Sequence, residues 1–287
     1  MTWQIPLVIL LVSQTSFVIL MKIASDKIKD KAVGIFYPLL ISALLSFVYA
    51  FLTERINMSP AFCLIGITGV AHTAGLYFLW KAFSFSLSKS LLFTPLEETL
   101  AIILAVIFLK EGKLWNLQLI SGVGFCFSAI YLFLTSVKRK EEEILTQKWL
   151  FCIMFATLIF GINEFLVKLF SFSISRQTFL VAKSNGALFG CISILLLKKQ
   201  NPFYLPKKIV ALGSLIGALT IIALFAIYYA YELGGPVSRI VPIRGLCVTV
   251  IPIFFGWLVF KERKGLSKKE WLGFLLGIIG AILILWR

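Results

Sequence analysis

The chain has 287 residues, of which 60% are hydrophobic and only 14% are charged, and its mean hydropathy is +0.97. This composition excludes a soluble globular protein and predicts a protein that crosses the bilayer many times. The formal net charge of +15 is also typical of nucleic-acid binders. Most of the basic residues, however, stand in short clusters between apolar runs, as in loops at a membrane surface. The lipid bilayer is therefore the expected partner, and no nucleic acid is expected.

Apolar runs of about 20 residues, separated by charged clusters, predict ten membrane-spanning helices. The longest connection is the charged stretch 138–148, which divides the spans five and five. In chain order the predicted spans are 3–22, 32–52, 61–84, 90–109, 114–135, 149–168, 177–197, 209–231, 237–260 and 268–286.

The two sets of five spans are similar in sequence. A shift of 151 residues places Tyr77 on Tyr228, and a shift of 146 places residues 3–22 on 149–168. Because five is an odd number, the second set must enter the membrane from the opposite side. This predicts the inverted repeat of secondary transporters, with a central cavity near the midplane. The predicted domains are a first five-helix repeat at 1–137, a charged connecting loop at 138–148 and a second five-helix repeat at 149–287.

Several charged or polar residues stand inside the apolar spans. An ionised carboxylate at bilayer depth costs about 2.5 kcal/mol or more, so such residues usually face a protein interior or a wet cavity. Six candidates for substrate binding follow from this: Gln14, His72, Glu98, Glu164, Lys183 and Arg244. Four further residues near span ends are candidates for gating: Lys81, Glu97, Glu232 and Arg239.

Depth along the spans predicts how these charges pair. Counting about 1.5 Å per residue places Lys81 near Glu97 and Glu98 at one membrane face. It places Glu232 near Arg239 and Arg244 at the other. The same count separates Glu98 from Arg244 by about 13 Å along the membrane normal, too far for a direct pair. Lys81 and Glu232 are therefore predicted to belong to two ionic latches that are made and broken in turn during alternating access.

Purely structural roles are alternatives for several candidates. Thr94 and Pro95 followed by Glu97 fit a helix start with a capping box. Glu164 and Lys183 lie at similar predicted depth and fit a structural ion pair as well as a substrate contact. Long side chains at span ends, such as Lys81 and Glu232, also fit simple snorkelling toward the membrane surface.

Catalytic and metal chemistry are not expected. The chain contains one histidine and five cysteines, none of them in a C-x-x-C pair, so neither a metal site nor a cofactor is predicted. It has no G-x-x-x-x-G-K-[ST] loop and therefore no ATP motor of its own. A membrane-embedded enzyme would need a nucleophile–base pair or a metal cluster, and it is kept only as a distant alternative, beside a structural subunit.

Two segments carry a family resemblance. Residues 95–111, followed by Gly122-Val-Gly124, and residues 252–262, followed by the glycine-rich 273–280, resemble the drug/metabolite transporter superfamily of EamA type. This resemblance implies a ten-helix permease that exports amino acids and related metabolites, or takes up nucleotide-like metabolites such as S-adenosylmethionine. Residues 13–22 are similar to the first span of small multidrug-resistance proteins, with Gln14 in place of their proton-binding glutamate.

We therefore expect a secondary transporter in the cytoplasmic (inner) cell membrane. Separate carboxylates and cations in one cavity fit both ends of a zwitterion, so the expected substrate is a small polar, amino-acid-like metabolite. The alternatives are a nucleotide-like metabolite or a cationic drug. Transport with or without a coupling proton, and a monomer or a homodimer, are both compatible with the sequence.

The orientation in the membrane gives a first test. Of the 28 Lys and Arg residues, 18 fall on the face that bears the first connection, 7 on the other face and 3 inside the spans. The positive-inside rule then places both termini outside the cytoplasm, whereas the family resemblance implies termini inside. A reporter that works only in the cytoplasm, fused after Arg287, is expected to be inactive. An active fusion would contradict the charge count.

Overall fold

The computed structural model describes residues 2–53, 56, 58–91, 93–109, 117–136, 140–171, 173–259 and 267–285. These residues form α-helices without strands, apart from one short 3-10 turn at Pro202–Tyr204. The helices are α1 (Gln4–Lys27), α2 (Lys31–Thr53), α3 (Pro60–Phe85), α4 (Leu87–Leu91), α5 (Thr94–Leu109), α6 (Leu117–Ser136), α7 (Lys140–Phe170), α8 (Arg176–Leu197), α9 (Lys207–Glu232), α10 (Val237–Leu258) and α11 (Lys268–Leu285).

Within the described ranges, seven helical segments are long and apolar enough to cross a membrane. Two shorter apolar helices, Ile120–Ala129 and Trp271–Gly280, add to them. The protein is therefore an all-α integral membrane protein, while the count of ten spans stays a prediction. The seven segments are Gln4–Lys27, Lys31–Thr53, Pro60–Phe85, Lys89–Leu109, Gln147–Phe170, Arg176–Leu197 and Lys207–Glu232.

Large apolar side chains lie exposed on the surfaces of these helices. Val12 on α1 is 64% exposed, Ile67 on α3 is 65% exposed and Phe189 on α8 is 65% exposed. In water, extended apolar surface of this kind would drive association. Around membrane helices it is the surface that contacts lipid.

The predicted loop at 138–148 is wrong from Lys140 onward, where α7 begins. Residues 137–139 lie outside the described part of the chain. The sequence Lys-Glu-Glu-Glu-Ile-Leu that opens α7 consists mostly of good helix formers, and acidic residues in a first turn complement the helix dipole. A charged, solvated stretch therefore continues the helix here instead of interrupting it.

The predicted fourth span at 90–109 is divided into α4 and α5. Pro95 is the second residue of α5, and proline disfavours a helical conformation in the residue before it. Trp149 of α7 packs against the division: its indole N–H donates to Ser90 Oγ at 2.9 Å, and its ring lies 5.2 Å from that of Phe93. The start of α5 is thus fixed by side chains of α4 and α7.

The chain divides into two compact units that do not coincide with the sequence repeats. Unit 1 comprises Met1–Trp80 and Leu166–Gly235, and unit 2 comprises Lys81–Phe165 and Pro236–Arg287. In unit 1, α2 packs on α8; in unit 2, α5 packs on α10 and α6 packs on α11. Each of these pairs joins equivalent spans of the two predicted repeats, so each unit takes helices from both. The repeat boundaries themselves stay a prediction.

Candidate functional site

Arg244 of α10 is bound by three glutamates in unit 2, and we call these four residues the Arg244 cluster. Its Nη2 lies 2.6 Å from Glu98 Oε1 and 3.4 Å from Glu97 Oε1, and its Nε lies 3.3 Å from Glu98 Oε1. Its Nη1 donates to Glu164 Oε2. The guanidinium therefore donates in three directions, which only its planar fork of five N–H groups allows.

Three helices bring these side chains together. Glu97 and Glu98 stand at the start of α5, Glu164 stands on α7 and Arg244 stands in the N-terminal half of α10. The cluster is buried: the side chains of Arg244 and Glu98 are 5% and 4% exposed, that of Glu164 is 9% exposed and that of Glu97 is 16% exposed. Buried charges are tolerated only when they are paired and hydrogen-bonded.

The carboxylates outnumber the guanidinium in this cluster. Glu98 binds Arg244 through Oε1 alone, and its Oε2 is buried with no hydrogen-bond partner among the described residues. The cluster can therefore accept additional positive charge, or exchange one partner of Arg244 for another anion. These are the two chemical properties that a site for a charged solute needs.

Gly161 permits the close packing that brings Glu164 to Arg244. A Cβ at Gly161 would lie 2.8 Å from the carbonyl oxygen of Glu97 and 3.0 Å from Leu100. Because residues three apart share a helix face, Gly161 and Glu164 both face α5. Sequence reasoning missed Gly161. A glycine one turn before an acidic residue is a weak signal when the helix packing is unknown.

A side chain at Gly161 is expected to separate α7 from α5. Gly161→Ala should destabilise the protein by about 1–3 kcal/mol, the usual cost of overpacking. Gly124 of α6 is the matched control, because a Cβ there meets nothing within 4 Å and alanine is the better helix former. Thermal unfolding in detergent is the measurement, and equal unfolding temperatures for the two variants would contradict the packing argument.

The sequence-based separation of Glu98 and Arg244 by about 13 Å is wrong, since the two side chains form a direct ion pair. Counting residues assumes straight, untilted spans, whereas membrane helices tilt by up to about 40°. The fourth span is also divided into α4 and α5. Both effects change the depth of Glu98 relative to the count.

An ion pair with Lys183 is one sequence-based alternative for Glu164, and the structure shows Glu164 bound to Arg244 in unit 2. Lys183 belongs to α8 in unit 1, is 5% exposed and lies 5.7 Å from the ring centroid of Phe179. It interacts electrostatically with His72 of α3. The structure thus brings His72 and Lys183 together as a second polar site within unit 1.

The contact between α3 and α8 is close at this second site. Thr73 Oγ1 donates to the carbonyl oxygen of Ala187 at 2.6 Å. A Cβ at Gly186 would collide with the backbone of Gly66, so α8 needs a glycine there. Gln14, the third unit 1 candidate, stands on α1 with its Oε1 buried and without a hydrogen-bond partner in the described ranges.

The described contacts of the gating candidates include an ion pair that was not predicted. Glu232 Oε2 accepts from Arg176 at 2.5 Å and 2.9 Å within unit 1. Arg239 belongs to the first turn of α10, and its side chain lies outside the described residues. Lys81 stands in unit 2 and interacts electrostatically with Cys152. Its predicted partners, Glu97 and Glu98, form their described ion pairs with Arg244.

Arg176 falls just before the predicted span 177–197 and was not among the candidates predicted from the sequence. Arg176 is the first residue of α8, after the N-cap Ser175. Its guanidinium carbon lies 4.7 Å from the ring centroid of Phe225 and 4.1 Å from that of Tyr229. Stacking on two rings and pairing with Glu232 fixes this guanidinium more firmly than a solvated loop residue.

The second half of the chain matches a known protein family. Residues 147–286 match the EamA-like transporter family. This part of the chain is therefore an EamA-like transporter domain. The domain confirms the resemblance to EamA-type members of the drug/metabolite transporter superfamily. It includes Glu164 and Arg244, while Glu97 and Glu98 precede it.

The fold of nearly the whole chain is similar to that of a solved structure. A solved structure titled "Crystal structure of protein" superposes with a TM-score of 0.63, covering 97% of this chain and 96% of that chain at 11% sequence identity. At that identity the likeness concerns the fold alone. No curated protein matches the chain in sequence.

Proposed function

We propose that this membrane transporter of the drug/metabolite type moves a small zwitterionic, amino-acid-like metabolite across the cytoplasmic membrane by alternating access. The observation that carries the proposal is the buried Arg244 cluster, in which a guanidinium and three carboxylates meet. An amino-acid zwitterion presents the same two charges at a single carbon atom. The cluster therefore offers a partner for each end of such a substrate.

Exchange of partners is the chemical step of binding. Guanidinium binds carboxylates in bidentate geometry, so the substrate carboxylate replaces one glutamate on Arg244. The released glutamate then binds the substrate ammonium. Every buried charge keeps a partner throughout, which avoids the large cost of an unpaired buried ion.

A cationic substrate is the second candidate, because the carboxylates outnumber Arg244 three to one. A cationic drug, or a sulfonium metabolite such as S-adenosylmethionine, would bring positive charge to a site with excess negative charge. Anionic substrates have no such support. The two candidates differ in net charge, and transport assays separate them on that basis.

Uptake into proteoliposomes tests the proposal. The full chain would be reconstituted and offered labelled neutral amino acids, S-adenosylmethionine, a cationic dye and a dicarboxylate. Uptake of neutral amino acids that the Arg244→Lys variant loses is the expected result. Uptake of the cations alone would favour the second candidate. Transport of the dicarboxylate alone, or of none of the probes, would contradict the proposed substrate class.

The pair of Arg176 and Glu232 is the latch that the described contacts support. Alternating access requires one mouth to close while the other opens, and a half-buried ion pair shifts such an equilibrium modestly, by about 1 kcal/mol or less. Arg176→Gln and Glu232→Gln should therefore change cysteine labelling near the end of α9 in the same direction and by a similar factor.

The control for this latch is Asp26→Asn, which breaks the pair of Lys22 and Asp26, 3.0 Å apart within α1. It should leave labelling near the end of α9 unchanged. Opposite effects of Arg176→Gln and Glu232→Gln, or no effect of either, would show that this pair is not a latch.

A further inference from the structure

The Arg244 cluster contains more negative than positive groups. Glu97, Glu98 and Glu164 share one guanidinium. If all three carboxyls were ionised, two negative charges would remain in excess in a buried place. Such an excess is strongly unfavourable at low dielectric, and buried groups of this kind take up a compensating positive charge.

One oxygen atom of the cluster is available to bind the compensating positive charge. Glu98 Oε1 accepts two hydrogen bonds from Arg244, while Glu98 Oε2 is buried and has no hydrogen-bond partner within the described ranges. Glu98 as a whole is 3% exposed. A carboxylate oxygen is an acceptor only, and protonation converts it to an O–H group that no longer carries the charge.

The charged groups that interact with Glu98 lie on two of the helices beside α5. They are Arg244 of α10 and Glu164 of α7, while Glu97 interacts with Glu98 as well as with these two residues. Helix α11 also packs on α5, and its residues 271–285 include no titratable side chain. In the described ion pairs of this cluster, one cation, Arg244, therefore serves three carboxyls.

Two lysines stand on neighbouring elements. Lys168 lies one turn beyond Glu164 on α7, and its ammonium donates to the carbonyl oxygen of Gly235 at 3.1 Å. Lys89 stands on α4, which packs on α10. A metal ion does not fit the cluster as described, because the described residues include no group of three acidic, histidine or cysteine ligands that could hold one.

We propose that Glu98 carries an exchangeable proton and is the proton-coupling residue of this transporter. The inference rests on the proposed function and names its coupling ion. When a substrate ammonium arrives, the O–H bond of Glu98 breaks, the proton passes to water and the carboxylate pairs with the ammonium. Substrate and proton thus occupy Glu98 in turn, and transport is an exchange of one for the other. Gln14 of α1, which cannot titrate, takes no part in this exchange.

Infrared spectroscopy of the purified full chain tests the protonation directly. A protonated carboxyl gives a carbonyl band that a carboxylate lacks. The wild type should show such a band at neutral pH. In Glu98→Gln the intensity of the band should fall by the contribution of one carboxyl group. Glu232→Gln is the matched control, because its acid lies outside the cluster, and it should keep the band. A band that is absent from the wild type, or undiminished in Glu98→Gln, would overturn the proposal.

A second experiment tests whether a sodium ion, and not a proton, occupies the site. Replacing choline chloride by sodium chloride at constant ionic strength should not change the unfolding temperature of the wild type. A sodium-specific rise that Glu98→Gln abolishes would show that a metal cation, not a proton, occupies the site, and would overturn the proposal.

Driven transport separates this inference from the proposed function. In proteoliposomes that take up a labelled neutral amino acid, a pH gradient of about one unit should drive its accumulation up to about tenfold. One pH unit is a tenfold ratio of proton concentrations, and it stores the same free energy as a tenfold ratio of amino-acid concentrations. Equilibration of the amino acid without accumulation under the gradient would overturn the proton assignment and leave the proposed function intact. No uptake of any probe would instead contradict the proposed function.

Discussion

Arg244→Met is expected to abolish transport and to lower the stability of the folded protein by about 3–5 kcal/mol, the usual cost of removing one partner from a buried ion pair. The variant leaves Glu97, Glu98 and Glu164 buried with no guanidinium between them. It also removes the group that we propose binds the substrate carboxylate. Thermal unfolding in detergent and proteoliposome uptake are the two measurements.

Two further variants keep this prediction testable even if Arg244→Met fails to fold. Arg244→Lys retains the charge but cannot donate in three directions, so it should fold and transport poorly. Adding Glu98→Gln and Glu164→Gln to Arg244→Met removes two of the three carboxylates that have lost the guanidinium, and it should recover part of the stability without recovering transport. Recovery of both would show that the cluster is only structural.

Arg176→Met is the matched control for Arg244→Met. Its pair with Glu232 is 18% and 27% exposed, and ion pairs open to solvent contribute about 0–1 kcal/mol. Arg176→Met should therefore unfold at nearly the wild-type temperature. A loss of stability as large as that of Arg244→Met would contradict the argument from burial.

Helix positions could be predicted from the sequence because they depend on local composition. The predicted spans 177–197 and 209–231 match Arg176–Leu197 and Lys207–Glu232 closely. Apolar runs must fill the bilayer and charges must leave it, so the two signals mark the same boundaries. The same reasoning identified Glu98, Glu164 and Arg244 as unusual, since each is a charge inside an apolar run.

Partners could not be predicted in the same way. A count of residues gives a position along a helix, but not its tilt, its facing side or its neighbour. The pair of Glu98 and Arg244 was rejected on depth, and the structure forms it. Arg176 lies just outside the predicted span 177–197, yet it binds Glu232 at 2.5 Å. Each of these pairs joins residues far apart in sequence, so only the packing of helices defines it.

Glu98→Gln is expected to abolish transport while leaving the fold intact. Glutamine keeps the size of the side chain, and its amide oxygen can still accept a hydrogen bond from Arg244. Glu97 and Glu164 continue to balance the guanidinium, so no buried cation is left unpaired. Stability should therefore change by about 1 kcal/mol or less. What the variant loses is the negative charge that the substrate ammonium needs.

Glu97→Gln provides the graded comparison for Glu98→Gln. Glu97 lies farther from Arg244, at 3.4 Å against 2.6 Å for Glu98, and its side chain is more exposed. Its replacement should reduce uptake less than that of Glu98, while Glu232→Gln should leave substrate specificity unchanged. Uptake by proteoliposomes would be measured over a range of pH, with equal amounts of folded protein confirmed by gel filtration. If Glu98→Gln transports at the wild-type rate at every pH tested, the substrate contacts lie elsewhere, because a carboxylate that binds the ammonium cannot be replaced by an amide without loss.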